Sequence, residues 1–259
     1  LNAGPVPYSK VEGMADIGMQ SVAYDQITGT TVLVYANGNI DLFKEKEGTF
    51  YNVPDFKIKS ISGTKSVNGV FAENGIAYIS TSIGILVVDL STYSIEETYK
   101  FIANNETIPI NGFIRNSNYF YAFTKGGVYK APTTSPQLQN FQIWKLIDKS
   151  ASYTYMATVG NILYAGNEST VFKLIDDSFH VVYSCDTNRV ITHIDAGLTS
   201  LLISEYNASV FKGTVKLMDA GNTIVDSFYR DIILPKQVVQ LADNTIWVAD
   251  IYSGLYKVN

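Results

Sequence analysis

The chemistry open to this chain of 259 residues is bounded by two histidines, one cysteine and a scatter of carboxylates. His180 stands in Phe179-His180-Val181-Val182 and His193 in Ile191-Thr192-His193-Ile194. Each reads as a surface imidazole or a satisfied core one. Zinc takes three or four His, Cys or carboxylate ligands at short spacing, and Cys185 has no second cysteine for a thiolate site or a disulfide. The sequence holds no G-x-S-x-G nucleophile turn, no glycine-rich phosphate loop with a lysine and no D-x-D-x-D-G calcium loop. Paired carboxylates can serve as general acid and base, and Asp16 and Asp176-Asp177 are the candidates. Aspartate also favours turns, by accepting from its own following backbone, and these residues, like Asp89 and Asp250 at strand ends, read as turn formers. The expectation is a non-enzyme with no catalytic residue, no metal and no cofactor.

One basic stretch remains. Lys57-Ile58-Lys59, with Lys65 nearby, reads either as a solvated loop or as a contact for an anionic ligand. These three lysines are the candidate binding residues. The wider charge pattern excludes general nucleic-acid binding: the formal charge is −5 and the pI about 5.0, where a basic footprint is needed. Only 17% of residues are charged, against about 25% in soluble domains, which argues against a surface dressed in helices. No apolar run approaches the roughly 20 residues of a membrane-crossing helix, and residues 1–20 hold no signal-like stretch. The chain opens on Leu1, as expected of one whose targeting segment has been removed. Asn105-Glu106-Thr107, Asn167-Glu168-Ser169 and Asn207-Ala208-Ser209 match the N-glycosylation acceptor. Such matches arise freely in an Asn- and Ser-rich chain and carry no weight.

What must position any of these residues is a repeat. Six times an apolar run ends in a small residue, turns through polar residues and gives way to a second apolar run. The first runs close on Ala36, Ser80, Ala122, Ala165, Ser204 and Ala249; the second are anchored at Ile40, Ile85, Val128, Val171, Val210 and Leu255. Fixed periods of 20–50 residues mark repeat architectures. The runs are short, rich in β-branched and aromatic residues and bounded by Gly, Asn, Ser or Asp, which reads as strand. Turns such as Ala36-Asn37-Gly38-Asn39 and Tyr252-Ser253-Gly254 carry hairpin chemistry. None of the seven prolines falls inside a paired run, as ladder hydrogen bonding requires.

A strand candidate precedes each pair, at 20–24, 67–72, 110–114, 153–159, 190–195 and 237–241. A more polar one follows, at 49–53, 95–101, 142–147, 179–184 and 223–228. Four strands per repeat, with polarity rising in the last, match radially stacked blades. The expectation is one all-β domain over 1–259, a β-propeller of six four-stranded blades, with the small residues where blades crowd together. The alternative is seven blades with one missing upstream; a β-solenoid or paired sandwiches fit the period less well. The sixth repeat ends after its third strand, so the segment 7–11 is expected to close the last blade, because exposed sheet edges and unpaired backbone groups are costly. The Ser-x-Asp-x-Gly-x-x-Trp turns of sialidase-type propellers are missing.

The stretch from Tyr8 to about Leu90 resembles the N-terminal β-propeller of the PorZ family of Bacteroidetes. The likeness is carried by Tyr8-Ser9-Lys10-Val11-Glu12-Gly13-Met14-Ala15-Asp16 and Val22-Ala23-Tyr24-Asp25. It continues in Tyr35-Ala36-Asn37-Gly38-Asn39-Ile40-Asp41-Leu42, Lys59-Ser60-Ile61-Ser62-Gly63 and Gly84-Ile85-Leu86-Val87-Val88-Asp89-Leu90. From about residue 110 onward only the blade rhythm matches. The resemblance implies an exported protein of the periplasm or outer-membrane surface, with further domains. It also implies a role beside the type IX secretion machinery and binding of a cell-envelope protein or anionic lipopolysaccharide. Two other readings stand beside it: the ligand-sensing propeller of a hybrid two-component receptor, and a propeller carbohydrate-active enzyme.

Overall fold

The computed structural model describes residues 7–61, 63–149 and 153–258. The first sheet is β1 (Met19–Asp25), β2 (Thr30–Tyr35), β3 (Ile40–Lys44) and β4 (Thr49–Val53), followed by the short helix α1 (Asp55–Ile58). The second is β5 (Val67–Glu73), β6 (Ile76–Thr81), β7 (Gly84–Asp89) and β8 (Ser94–Tyr99). A two-stranded hairpin, β9 (Ile102–Ala103) with β10 (Glu106–Thr107), precedes the third: β11 (Ile110–Arg115), β12 (Tyr119–Thr124), β13 (Gly127–Pro132) and β14 (Lys145–Asp148). The fourth is β15 (Tyr155–Val159), β16 (Ile162–Gly166), β17 (Thr170–Ile175) and β18 (Ser178–Ser184). The fifth is β19 (Val190–Ala196), β20 (Leu201–Asn207), β21 (Lys212–Met218) and β22 (Ile224–Phe228); the sixth is β23 (Pro235–Gln240), β24 (Ile246–Asp250) and β25 (Gly254–Val258).

In every sheet the strands pair in chain order, a meander in which each strand folds back on its predecessor. Six such sheets in succession are the blades of a six-bladed β-propeller. Burial explains the polarity gradient. The middle strand β7 is buried at five of six positions, whereas the outer strand β18 has none buried. Pro132 and Pro235 sit at the end and the start of their strands, where a missing N–H does least harm.

Two compact units divide the chain, Leu1–Phe113 with Tyr121–Lys145, and Ile114–Phe120 with Leu146–Asn259. In the first, Val32, Val34, Ile40, Leu42, Ile79, Val88 and Leu90 form a core with no exposed surface. Beside it lies an aromatic group in which Phe101 packs on Trp144, Phe141 and Tyr129 at 4.8–5.6 Å between ring centres. In the second unit, Tyr164, Val171, Ile194 and Ile203 form one core, and Leu202, Val215, Val238 and Val248 another. Hydrogen bonds join successive sheets within each unit. The Lys44 ammonium donates to Leu90 O at 2.7 Å, and Thr192 Oγ1 donates to Pro235 O at 2.6 Å.

The sequence-based picture needs three corrections. The segment 7–11 does not complete the last sheet, which holds three strands among the described residues. The chain turns there instead: Glu12 N and Met14 N both donate to Ser9 O at 3.1 Å. The Tyr8 ring settles on Phe43 (4.9 Å) and Phe50 (5.8 Å), so it joins an aromatic cluster on the first sheet. Val210 does not anchor a strand. It lies in the turn before β21, 58% exposed, and Val215, paired with Ser204, takes its place because β20 runs on to Asn207, past Ser204, before the chain turns. Of the six small residues, Ser80, Ala122, Ala165 and Ser204 are buried, but Ala36 stands exposed in a turn and Ala249 is half-buried.

Candidate functional site

The three candidate lysines surround α1, the connection between the first two sheets. Pro54 precedes the helix, and Phe56 is buried to 1% exposure. Its ring lies so close to the β2–β3 turn that a Cβ on Gly38 would stand 2.8 Å from it, at a φ of +87° that favours glycine. Lys65 locks the loop from the other side: its ammonium donates to Lys57 O and Lys59 O, each at 2.7 Å, and stands 5.4 Å from the centre of the Phe56 ring. The Lys57 ammonium donates to Asp16 Oδ2 at 2.7 Å. Asn37 Nδ2 reaches the same oxygen at 2.6 Å. The Lys57 hydrogen bond first, and then that from Asn37, hold the Asp16 carboxyl well below the usual carboxylate range.

Beneath this lies Asp41, with no exposed surface. It accepts from Tyr35 OH at 2.6 Å, from Ala15 N at 2.7 Å and from Asn52 Nδ2 at 2.9 Å. A buried carboxylate is tolerable when its lone pairs are filled. Tyr35, Asn37, Gly38, Asn39 and Asp41 thus use their polar atoms and their one free backbone position to seat the segment before β1 and to receive Phe56. Burial, followed by the Asp41 bond, pushes the Tyr35 phenol far above its ordinary value.

Alongside α1 runs a cleft of about 280 Å³ lined by Asp55, Phe56, Lys59, Leu86, Ile95, Glu96, Glu97 and Thr98. Lys59 is the one candidate lysine that lines it. A β-bulge shapes its acidic wall. Val88 faces Ile95 and Val87 faces Glu97, so Glu96 has no partner on β7. Residues of a strand alternate faces, and a bulge re-aims one of them; here consecutive glutamates line the same cleft. Sequence reasoning missed this pair. The signal was Ile95-Glu96-Glu97-Thr98, where strict alternation would send one glutamate inward.

In the second unit, His193 is half-buried on β19, its Nε2 3.5 Å from Asp195 Oδ1. Burial pushes the imidazole down to about 4, with Lys236 nearby adding to the effect. Burial also pushes Asp195 up to about 7, against the opposing hydrogen bond from Val238 N. The ring of Tyr155 meets the imidazole edge-on at 5.3 Å. His180 is exposed on β18, and nothing brings the two histidines together. A second group unseen in the sequence centres on Glu205, which has no exposed surface. Lys216 Nζ lies 3.1 Å and Arg189 Nη1 3.4 Å from its Oε2, and the Tyr183 hydroxyl donates to its Oε1.

The remaining acidic candidates are turn formers. Asp176 and Asp177 both hold positive φ between β17 and β18. Asp89 Oδ1 accepts from Ser91 N and Thr92 N at 2.7 and 3.0 Å, and Asp250 accepts from the backbone of Ile233, Leu234, Tyr252 and Ser253. No group of three or more potential metal ligands occurs among the described residues.

The family described as the TSS9 PorZ N-terminal β-propeller domain matches residues 4–145, more than half of the chain. No curated protein matches it in sequence. Among solved structures it is similar to PorZ of Porphyromonas gingivalis, described as an essential bacterial surface component of the type-IX secretion system. The TM-score is 0.77 at 20% identity, over 96% of this chain and 32% of that one. It is also similar to the extracellular domain of the putative hybrid two-component system BT3049 of B. thetaiotaomicron (0.66, 14%, over 98% and 35%). A third is the extracellular domain of the putative one-component system BT4673 of the same organism (0.60, 14%, over 91% and 32%). The chain spans about a third of the length of each, and at these identities the likeness is one of fold.

Proposed function

The chain belongs to the family of TSS9 PorZ N-terminal β-propeller domains, and from that membership we propose that it is a non-enzymatic binding module of an exported cell-envelope protein. The family match over residues 4–145 carries the reading. Its fold likeness to a bacterial surface component and to extracellular domains supports placement in the periplasm or at the outer-membrane surface. The non-enzymatic reading is supported by how the acidic groups are spent: Asp16, Asp41, Asp89, Asp250 and Glu205 all hold backbone or neighbouring side chains in place.

The partner is a cell-envelope protein or an anionic surface glycan such as lipopolysaccharide. Lys57, Lys59 and Lys65 would serve the glycan. Against it, Lys57 and Lys65 are engaged within the chain, and Lys59 lines its cleft beside Asp55, Glu96 and Glu97. That balance favours the protein. A test is binding of the immobilised chain to outer-membrane fragments of its own bacterium, before and after proteinase treatment of the fragments, and to purified lipopolysaccharide. Protease-sensitive binding is expected; binding to neither preparation would overturn the module reading.

A second reading, the sensing propeller of a hybrid two-component receptor, draws on the fold likeness to BT3049. A membrane helix and a kinase domain encoded downstream in the same reading frame would favour it over the first.

A further inference from the structure

Resting on the binding-module reading, we propose that the cleft between α1 and β8 receives a short segment of a partner protein in which an aliphatic side chain is flanked by basic ones. Three features of the cleft agree. Its floor is apolar: Phe56 and Leu86, 1% and 2% exposed, lie beside the half-buried Ile95. Its rim sets three carboxylates, Asp55, Glu96 and Glu97, against the single ammonium of Lys59. Its volume of about 280 Å³ is below the 300–1,000 Å³ of pockets that enclose a drug-sized molecule, yet ample for an anchoring side chain.

The negative rim is left unbalanced within the unit. Two of the lysines around α1 are committed elsewhere, Lys57 to Asp16 and Lys65 to two carbonyls. Among the described residues Glu96 accepts only hydroxyls, from Ser94 at 2.6 Å and Thr92 at 3.1 Å. No ion pair engages Asp55, Glu96 or Glu97 among the described residues. Charge of one sign around an apolar floor selects a ligand of the other sign and steers its approach. Among the described residues no further strand pairs with the sheet beyond β8, so an extended segment can also meet backbone groups at that edge.

Bulges and charges on an edge strand have another use, which is to prevent pairing with other chains, and the experiment separates the two. A fluorescein-labelled peptide with one leucine between two arginines in a Gly-Ser background is titrated with the whole chain and followed by anisotropy. The controls are peptides with glutamate for arginine and with glycine for leucine. Saturable binding of the arginine–leucine peptide alone is expected, weakening as ionic strength rises. Exposed ion pairs contribute modestly, so Glu96→Gln with Glu97→Gln should weaken binding about tenfold, and Lys59→Gln should tighten it. Equal binding by the double variant and the parent, or no saturable binding, overturns the proposal. So does a double variant that merely self-associates. If the peptide fails while protease-sensitive binding to envelope fragments persists, the cleft is wrongly assigned and the module reading stands.

Discussion

Lys57 of the inter-sheet helix and Asp16 of the segment before β1 meet across 2.7 Å, although 41 residues separate them. Their contact closes a polar group that ties three successive parts of the first unit: the entering segment, the β2–β3 turn and α1. Asp41 is its buried centre. Replacing Asp41 by alanine leaves the Tyr35 hydroxyl and the Ala15 N–H without this acceptor, while the Asn52 amide keeps Asn39 Oδ1 and Ile40 O, and each unsatisfied buried donor costs roughly 1–3 kcal/mol. We expect Asp41→Ala to lower stability by about 3 kcal/mol in urea unfolding. Asp16→Asn should instead speed hydrogen exchange in the entering segment, with little change in melting temperature.

Gly38 and Gly48 separate strain from collision. Both hold positive φ, +87° and +64°, but a Cβ on Gly48 meets nothing within 4 Å, whereas on Gly38 it strikes the Phe56 ring. Gly48→Ala should cost about 1 kcal/mol of backbone strain. Gly38→Ala should cost clearly more and expose Phe56 to solvent. Equal losses in denaturant titration would refute this account of how α1 is seated.

Glu205 is a buried charge answered by Lys216 and Arg189. Removing one side of such a group leaves charge uncompensated, at a cost of about 3–5 kcal/mol. Glu205→Gln should show a loss of that order, and adding Lys216→Met should recover part of it. Strict additivity of the two substitutions would contradict the coupling.

The His193–Asp195 neighbours predict an unusual pH dependence. Asp195 is raised from 3.8 to about 7, so its contribution is greatest at low pH and is lost as pH rises towards 7. His193 is lowered from 6.5 to about 4, so its contribution is present above 6.5 and is lost as pH falls towards 4. Between about pH 4 and 6.5 the two slopes oppose each other. This pair therefore adds little pH dependence in that window. Asp195→Asn should leave stability rising with pH across it, and His193→Gln should leave it falling, as read from melting temperatures.

Much of the fold was legible because the repeat imposes one pattern six times. β-branched and aromatic runs, glycine turns and a polar outer strand are local signals, and the strands fall within a few residues of their expected places. The closure of the last sheet was not legible. Residues 7–11 have strand-like composition, but the Tyr8 ring finds Phe43 and Phe50, a tertiary contact that spacing does not reveal. The site was legible only in part. Lys57, Lys59 and Lys65 do cluster around α1, yet hydrogen bonds that no sequence shows commit two of them within the chain. The bulge that directs Glu96 and Glu97 into one cleft depends on register with β7.

Whether the first unit's cleft meets a partner protein, as proposed, is tested in the living cell by a photo-reactive amino acid placed there. With the cross-linker at Thr98, which lines the cleft, irradiated cells carrying the full-length protein should yield a discrete protein adduct that Glu96→Gln with Glu97→Gln diminishes. The same group at exposed His180 should yield none. Adducts of equal strength at both positions, or an adduct at 98 indifferent to the glutamates, would contradict it.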